Sequence, residues 1–196
     1  SPRGSKPFDI AGFGLNSVDL MTVVGEFPAS NSKQRLQRFA RMPGGQIATA
    51  MATAARLGWT ARYVGSFGDD EFGALSRRSL EEEGVDVGAA RTVAGATNQF
   101  AVVIVDARTG ERTVLWDRHP DLTMRPEEVS REAVTSGRML IVDCHETAAA
   151  AQAAKYAREA GVATVIDVEK VRPGMSELLQ HVDAIIAAQD FPSALT

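Results

Sequence analysis

Beyond Met139 the chain alternates short apolar runs with helical ones, and that alternation leaves few folds open. Met139–Asp143 reads as a strand, Thr147–Ala160 as an alanine-rich helix closed by Gly161, and Val162–Asp167 as a strand again. A short helix, Met175–Gln180, and a last strand, Val182–Ala187, complete the series. Strands joined through helices lie parallel, with right-handed crossovers and helices on both faces of the sheet. Just upstream, Pro126 is expected to open another helix. Glu127 and Glu128 fall in its first turn, where negative charge suits the macrodipole.

The first hundred residues add strands of a different kind. Phe8–Phe13 is a short apolar strand, and Val18–Val24 a second extended piece. Between Lys33 and Met42, arginines 35, 38 and 41 alternate imperfectly with Leu36, Phe39 and Met42, which predicts a solvent-facing strand. A helix follows Gly45 and runs to Leu57; a strand is expected over Ala61–Phe67. Asp69 or Asp70 then caps a helix reaching Gly84, with Phe72, Leu75 and Leu80 on its inner side. The continuous apolar run Ala101–Val105 predicts a buried strand, and the turn at 106–110 folds it back onto Arg112–Trp116 as a hairpin.

A length of 196 residues suits one domain, and a charged fraction of 23% is ordinary for a globular one. The net charge of -4 and pI near 5.4 argue against a nucleic-acid partner, which would want a basic face. Cys144 is the single cysteine, so no intrachain disulfide forms, and a cytoplasmic setting is expected. No apolar run reaches membrane-spanning length, so no membrane partner is expected. Ser1–Ser5 reads as an expression-vector remnant, and residues 1–7 are set aside from the fold.

Three stretches carry candidate chemistry. In Pro43–Ala50 a Gly-Gly turn runs straight into an alanine-rich helix. Gly44 and Gly45 let backbone approach a ligand, and Gln46 and Thr49 offer short polar side chains beside it. The plainer reading is a tight turn before a core helix. Asp143 and Asp167 end two predicted parallel strands, the edge where open α/β sheets bind ligands, although a strand-end Asp also serves simply to cap a turn. Gly12-Phe13-Gly14 after the first strand is a weak dinucleotide signal: Ser17 stands where a third glycine belongs, and a strand follows rather than a helix. His119, His145 and His181 share no metal-ligand spacing with one another or with Cys144.

Five segments in order resemble the N-terminal part of a PfkB/ribokinase-family carbohydrate kinase. They are Gly14–Asp19, Pro43–Gly58 with Arg56-Leu57-Gly58 at its end, Val64–Gly73, the hairpin Thr97–Asp117 with Gly110-Glu111-Arg112-Thr113, and Ile166–Lys170. The last, with the pattern of the first lid strands, looks closest to the ketohexokinase branch. The resemblance spans residues 8–196 and implies a ribokinase-like α/β sandwich of three layers with a mostly parallel sheet. A small β-lid, segments 18–42 and 97–118, would be inserted in it. Such kinases transfer phosphate from ATP with Mg²⁺ to a hydroxyl of a sugar or related polyol.

By that resemblance Asp19 accepts hydrogen bonds from substrate hydroxyls, while Gly44, Gly45, Gln46 and Thr49 complete the substrate site. Arg112 reaches phosphate oxygens from the lid, and Asp167 and Glu169 lie near the phosphates or their metal. The lid strands would pair two chains into a homodimer. Three departures stand out. Gln46 and Thr49 replace the family's asparagines, so fructose is not implied. The Asn-x-x-Glu motif is missing around Ala188–Phe191. The Gly-Ala-Gly-Asp motif, which carries the catalytic base and an anion hole, does not occur; Gly65–Asp69 belongs to the third segment. The expectation is a substrate-binding portion, lacking the nucleotide half and inactive alone. A non-catalytic sugar-binding or dimerisation module of the same ancestry is the alternative.

Overall fold

A computed structural model describes residues 6–189 and 191. The chain opens with β1 (Phe8–Phe13), β2 (Ser17–Val24) and β3 (Arg38–Gly44), then α1 (Gln46–Arg56). Next come β4 (Ala61–Val64), β5 (Ser66–Gly68), α2 (Glu71–Glu82), β6 (Arg91–Val93), β7 (Phe100–Asp106) and β8 (Arg112–Asp117). The alternating part holds α3 (Arg131–Val134), β9 (Gly137–Asp143), α4 (Thr147–Glu159), β10 (Ala163–Val168), α5 (Met175–Leu179) and β11 (Ala184–Ala187).

Five strands make the main sheet in the order β11-β10-β9-β1-β4, and every neighbouring pair is parallel. Its two faces are covered by different helices. On one side α1 buries Ile47, Ala48 and Met51 against Ile10, Tyr63 and Phe67. On the other, α4 packs six buried alanines against Leu140, Val142 and Ile166, with α5 alongside. Alanine is what permits so close an approach of helix to sheet. Gly12 works the same way on the opposite face: a Cβ there would lie 2.7 Å from Ile47 Cγ2, so the residue serves packing, not a nucleotide turn.

The second sheet has the order β3-β2-β7-β8, with β2 and β7 parallel at its centre and antiparallel strands outside. It projects from the C-terminal edge of the main sheet, because β2 leaves directly from the end of β1. One rung crosses it as Met42–Asp19–Ala101–Trp116. β7 is only half-buried, and all six residues of β8 are exposed. The buried strand expected at 101–105 is therefore a strand of a sheet covered on one side only, where α2 sets Phe72 against Phe100.

Other expectations need correction. The strand anticipated over 33–42 begins at Arg38 and continues to Gly44; the residues before it hydrogen-bond locally, Gln34 Nε2 donating to the Glu26 carbonyl at 2.9 Å. The strand expected over 61–67 breaks at Gly65, since β5 turns away to pair with β6 in a two-stranded ribbon. Pro126 opens a single 3-10 turn, and the α-helix behind it is only the four residues of α3, capped by Ser130. Asp70, not Asp69, caps α2, its carboxylate accepting from the Gly73 N–H at 2.9 Å. Residues 1–5 and the end of the chain past Phe191 lie outside the described residues.

Candidate active site

The second sheet stands over the C-terminal ends of β1, β9 and β10, and a cavity of about 540 Å³ lies between them. Its floor comes from Leu15 and Ser17 after β1, Gly45 and Gln46 at the start of α1, and His145 after β9. Glu169, Lys170 and Arg172, from the loop after β10, close one flank. Asp19, Ala101, Val114 and Trp116 descend from the second sheet. Loops at strand C-termini can vary without disturbing the core, which is why open α/β sheets place ligands there.

Asp19 is half-buried, and burial raises its carboxyl pKa above the ordinary range; the Ser17 hydroxyl at 3.5 Å and the charge of Arg112 pull it back. Its space is kept by a glycine. A Cβ on Gly44 would lie 2.8 Å from Asp19 Oδ2. Gly45 is fixed more tightly: its φ is 94°, and a Cβ would meet Asn16 Cα at 2.5 Å. This Gly-Gly pair thus presses the start of α1 against the β1–β2 turn, and the Ala48 N–H donates to the Leu15 carbonyl at 3.1 Å. Gln46, the first residue of the helix, donates from Nε2 to Asp167 Oδ2 at 3.1 Å. Its Oε1 is buried and has no partner among the described residues.

A buried polar layer holds the floor from beneath. Asp143 is 1% exposed; its Oδ2 accepts from the Leu15 N–H at 2.7 Å and its Oδ1 from the His145 N–H at 2.9 Å. Burial pushes its pKa up to about 6, against those two hydrogen bonds and the charge of Arg118. The Tyr63 hydroxyl donates to the Gly14 carbonyl at 2.7 Å and accepts from Asn16 Nδ2 at 2.8 Å, and burial raises its pKa strongly. Arg118 pairs with Glu146, whose other oxygen accepts from the Met124 N–H at 3.0 Å. His145 is lowered to about 4, first by burial and then by the charges of Arg172 and Arg118, so it faces the cavity neutral.

The anticipated residues are thus only partly gathered. Asp19, Gly45, Gln46 and Glu169 line the cavity, Gly44 backs Asp19, and Asp167 joins through Gln46. Arg112 begins β8, exposed, with its charge felt at Asp19. Thr49 is placed elsewhere: it is exposed and lines a smaller groove of about 140 Å³ with Ser76, Ser79 and Leu80 of α2. One turn into the helix, its side chain has rotated toward α2. His145, Lys170, Arg172, Gln99 and Trp116 line the cavity without having been proposed for it. Two of these carried a sequence signal: Lys170 ends the fifth family-like segment, and Trp116 lies on the lid hairpin, facing either a substrate or a partner's lid.

The family model for pfkB family carbohydrate kinases matches residues 8–191. This chain belongs to the pfkB family. Fructokinase-1 of Oryza sativa subsp. japonica is 36% identical over 115 residues, 59% of this chain and 34% of that protein. The ATP-dependent ribose-1-phosphate kinase of Halopiger xanaduensis is 30% identical over 149 residues, 76% of this chain and 50% of that one. Among solved structures, Arabidopsis thaliana ribokinase complexed with ribose and ATP superposes with a TM-score of 0.77 at 21% identity, over 92% of this chain and 60% of that one. The pfkB-family chain described here therefore spans half or less of the length of those two curated relatives. The fold is the ribokinase-like α/β fold with a mostly parallel sheet. The resemblance to the ketohexokinase branch rests on residues 166–170 together with the pattern of the first lid strands. Among the described residues, no helix is long and apolar enough to cross a membrane.

Proposed function

We propose that this chain carries the polyol-binding part of an ATP-dependent sugar kinase, with Asp19 as the group that holds substrate hydroxyls. The observation that carries the reading is the placement of this half-buried carboxylate in a cavity roofed by a separate sheet, beside a glycine pair that leaves it room. An ionised carboxylate only accepts, and two sugar hydroxyls can both donate to it. Val114 and Trp116 supply an apolar wall above. If the second sheet is the lid, its closure excludes water from the transferring phosphate.

The residues fit the two groups such a reaction needs. Arg112 acts on Asp19, so its charge also reaches a phosphoryl group arriving at a hydroxyl that Asp19 holds. Asp167 and Glu169 provide carboxylates at the same end. Among the described residues no three ligating side chains converge, which suits a Mg²⁺ held chiefly by phosphate and water rather than by a protein cage. Bound ATP and Mg²⁺ would supply the phosphoryl group and neutralise its charge. This chain's own part is to bind the polyol, orient the hydroxyl and keep water out.

The reading includes inactivity of the 196-residue chain by itself, since it contains no Gly-Ala-Gly-Asp sequence. Losing a single transition-state donor commonly lowers the rate about 100- to 1000-fold. Over ketoses, aldoses, sugar acids and nucleosides, titration should show polyol binding and an ATP-consumption assay with Mg²⁺ should show no turnover. Sugar-dependent ADP release would overturn the inactivity; absence of any polyol binding by titration would overturn the function itself.

A second copy of the chain is proposed to cover the part of the second sheet's outer face that α2 leaves bare, where Phe39 is 55% and Leu115 58% exposed. Sedimentation at micromolar concentration should give a dimer, and a monomer there would refute it.

A further inference from the structure

Half-buried arginines in this chain have partners: Arg77 donates to Thr92 Oγ1 at 3.1 Å and lies over the Phe67 ring, and three others pair with carboxylates. Arg62 pairs with Asp86 at 2.7 Å, Arg91 with Glu128 at 2.8 Å, and Arg118 with Glu146. Arg172 breaks the rule. It is half-buried, and its Nε is shielded from solvent with no hydrogen-bond partner among the described residues. Lys170, two residues earlier, lines the same cavity and forms no ion pair among the described residues either. A shielded guanidinium N–H without an acceptor is unfavourable, and an anion supplied from outside is what relieves it.

The loop bearing these two cations is anchored rather than loose. Thr147 Oγ1 donates to the Pro173 carbonyl at 2.7 Å, and Cys144 Sγ lies 3.7 Å from the Lys170 carbonyl. Both anchors belong to the β9–α4 junction, so the cations are held to the cavity floor beside His145. The charge of Arg172 helps keep that histidine neutral. Carboxylates stand near the cavity as well: Asp19 hangs from the second sheet, Asp167, not itself in the lining, accepts from Gln46, and Glu169 shares the flank of the two cations, which outnumber it there. One wall therefore suits hydroxyls and the other suits an anion.

We propose that Lys170 and Arg172 hold an oxyanion group, carboxylate or phosphate, carried by the polyol itself, so that the substrate class is an acidic or phosphorylated sugar rather than a neutral one. This rests on the sugar-kinase reading above and narrows it. The planar fork of Arg172 donates to two oxygens of such a group at once, and the ammonium of Lys170 adds a point charge.

Calorimetric titration of the 196-residue chain with matched pairs tests it: glucitol against gluconate, and fructose against fructose 6-phosphate. Inorganic phosphate and ATP, each alone, form separate arms. The acidic member of at least one pair should bind roughly tenfold or more tightly than its neutral partner. Arg172→Gln should weaken the acidic member far more than the neutral one and so abolish that preference, while Arg172→Lys keeps part of it. Lys170→Gln, at an exposed position, should weaken the preference without touching the thermal melt, and covers the case in which an Arg172 variant folds poorly. Equal affinities within both pairs would overturn the inference and leave the kinase reading standing. So would a preference that survives both glutamine variants. Arg172-dependent binding of ATP or phosphate, with the paired sugars equal, would assign the cations to the nucleotide instead and overturn it as well. Failure of every polyol to bind would remove the kinase reading and this inference together.

Discussion

Strand β1 buries four of its six residues, whereas β8 exposes all six. Both are short six-residue strands with an apolar stretch, and both belong to sheets whose backbones are paired on at least one side. What separates them is the number of layers. β1 lies between α1 on one face and the α3–α4 layer on the other, so its side chains meet dense packing whichever way they point. β8 belongs to a sheet that α2 covers on one side, near β2 and β3, and that faces a cavity on the other. The main sheet spends its apolar residues on stability. The second sheet leaves Val114, Leu115 and Trp116 available to something else.

Substitutions can break or sharpen that contrast. The largest effect is expected in the main sheet. Leu140 of β9 is fully buried, and Leu140→Ala should destabilise the chain by about 2–5 kcal/mol in urea melts. A loss below roughly 1 kcal/mol would mean that this core collapses freely around a void, and the contrast between sheets would lose its basis. The second effect belongs to the cavity. Asp19→Asn should weaken polyol binding by about 1.5–3 kcal/mol, a charged hydrogen bond's share, with the melt unchanged. Unaltered affinity by titration would return Asp19 to the role of a turn residue.

Third comes a pH effect confined to the floor. An unfolded aspartate titrates near ~4, so between there and Asp143's folded value of about 6 the folded chain holds a proton the unfolded chain has lost. Stability then falls as pH rises through that window. His145, lowered to about 4, has the opposite sign: the unfolded chain is protonated there while the folded chain is not, so stability rises with pH. The two slopes oppose each other. Relative to the unchanged chain, Asp143→Asn should lose stability on going from about pH 6 to about pH 4.5, and His145→Gln should gain it. Urea midpoints at the two pH values measure both; parallel behaviour of the two variants would refute the assignment. The smallest effect closes the comparison. Leu115→Ala, at a residue 58% exposed, should change stability by no more than about 0.5 kcal/mol in dilute protein.

Much of this architecture was written locally in the sequence. Helix α4 and strands β9 and β10 fall within a residue or two of their expected limits, because alternation of period and punctuation by Gly161 are local signals. Asp19 and the Gly44–Gln46 junction were likewise readable, as a family motif and as backbone chemistry. What could not be read depends on distant partners. The break at Gly65 follows from pairing of Ser66 with Arg91, and the ion pair of Arg118 with Glu146 joins residues with no shared pattern. Arg172 looked like any loop arginine; only its missing partner sets it apart, and absence leaves no mark in a sequence. Thr49 erred in the other direction. Its type suited a sugar, but the helix turned it toward α2.

The pairing of β2 with β7 also bears on how the molecule folds. Val18 meets Phe100 across that central pair, and Phe8 meets Gly137 across β1 and β9. Neither contact can form until a long loop has closed, and contacts of such span are slow to appear. The cavity needs both pairings and the loop after β10 as well. Formation of the cavity should therefore come with the slowest folding phase, after helix content has recovered, and a refolding chain passes most of its time with its helices built and its cavity unmade.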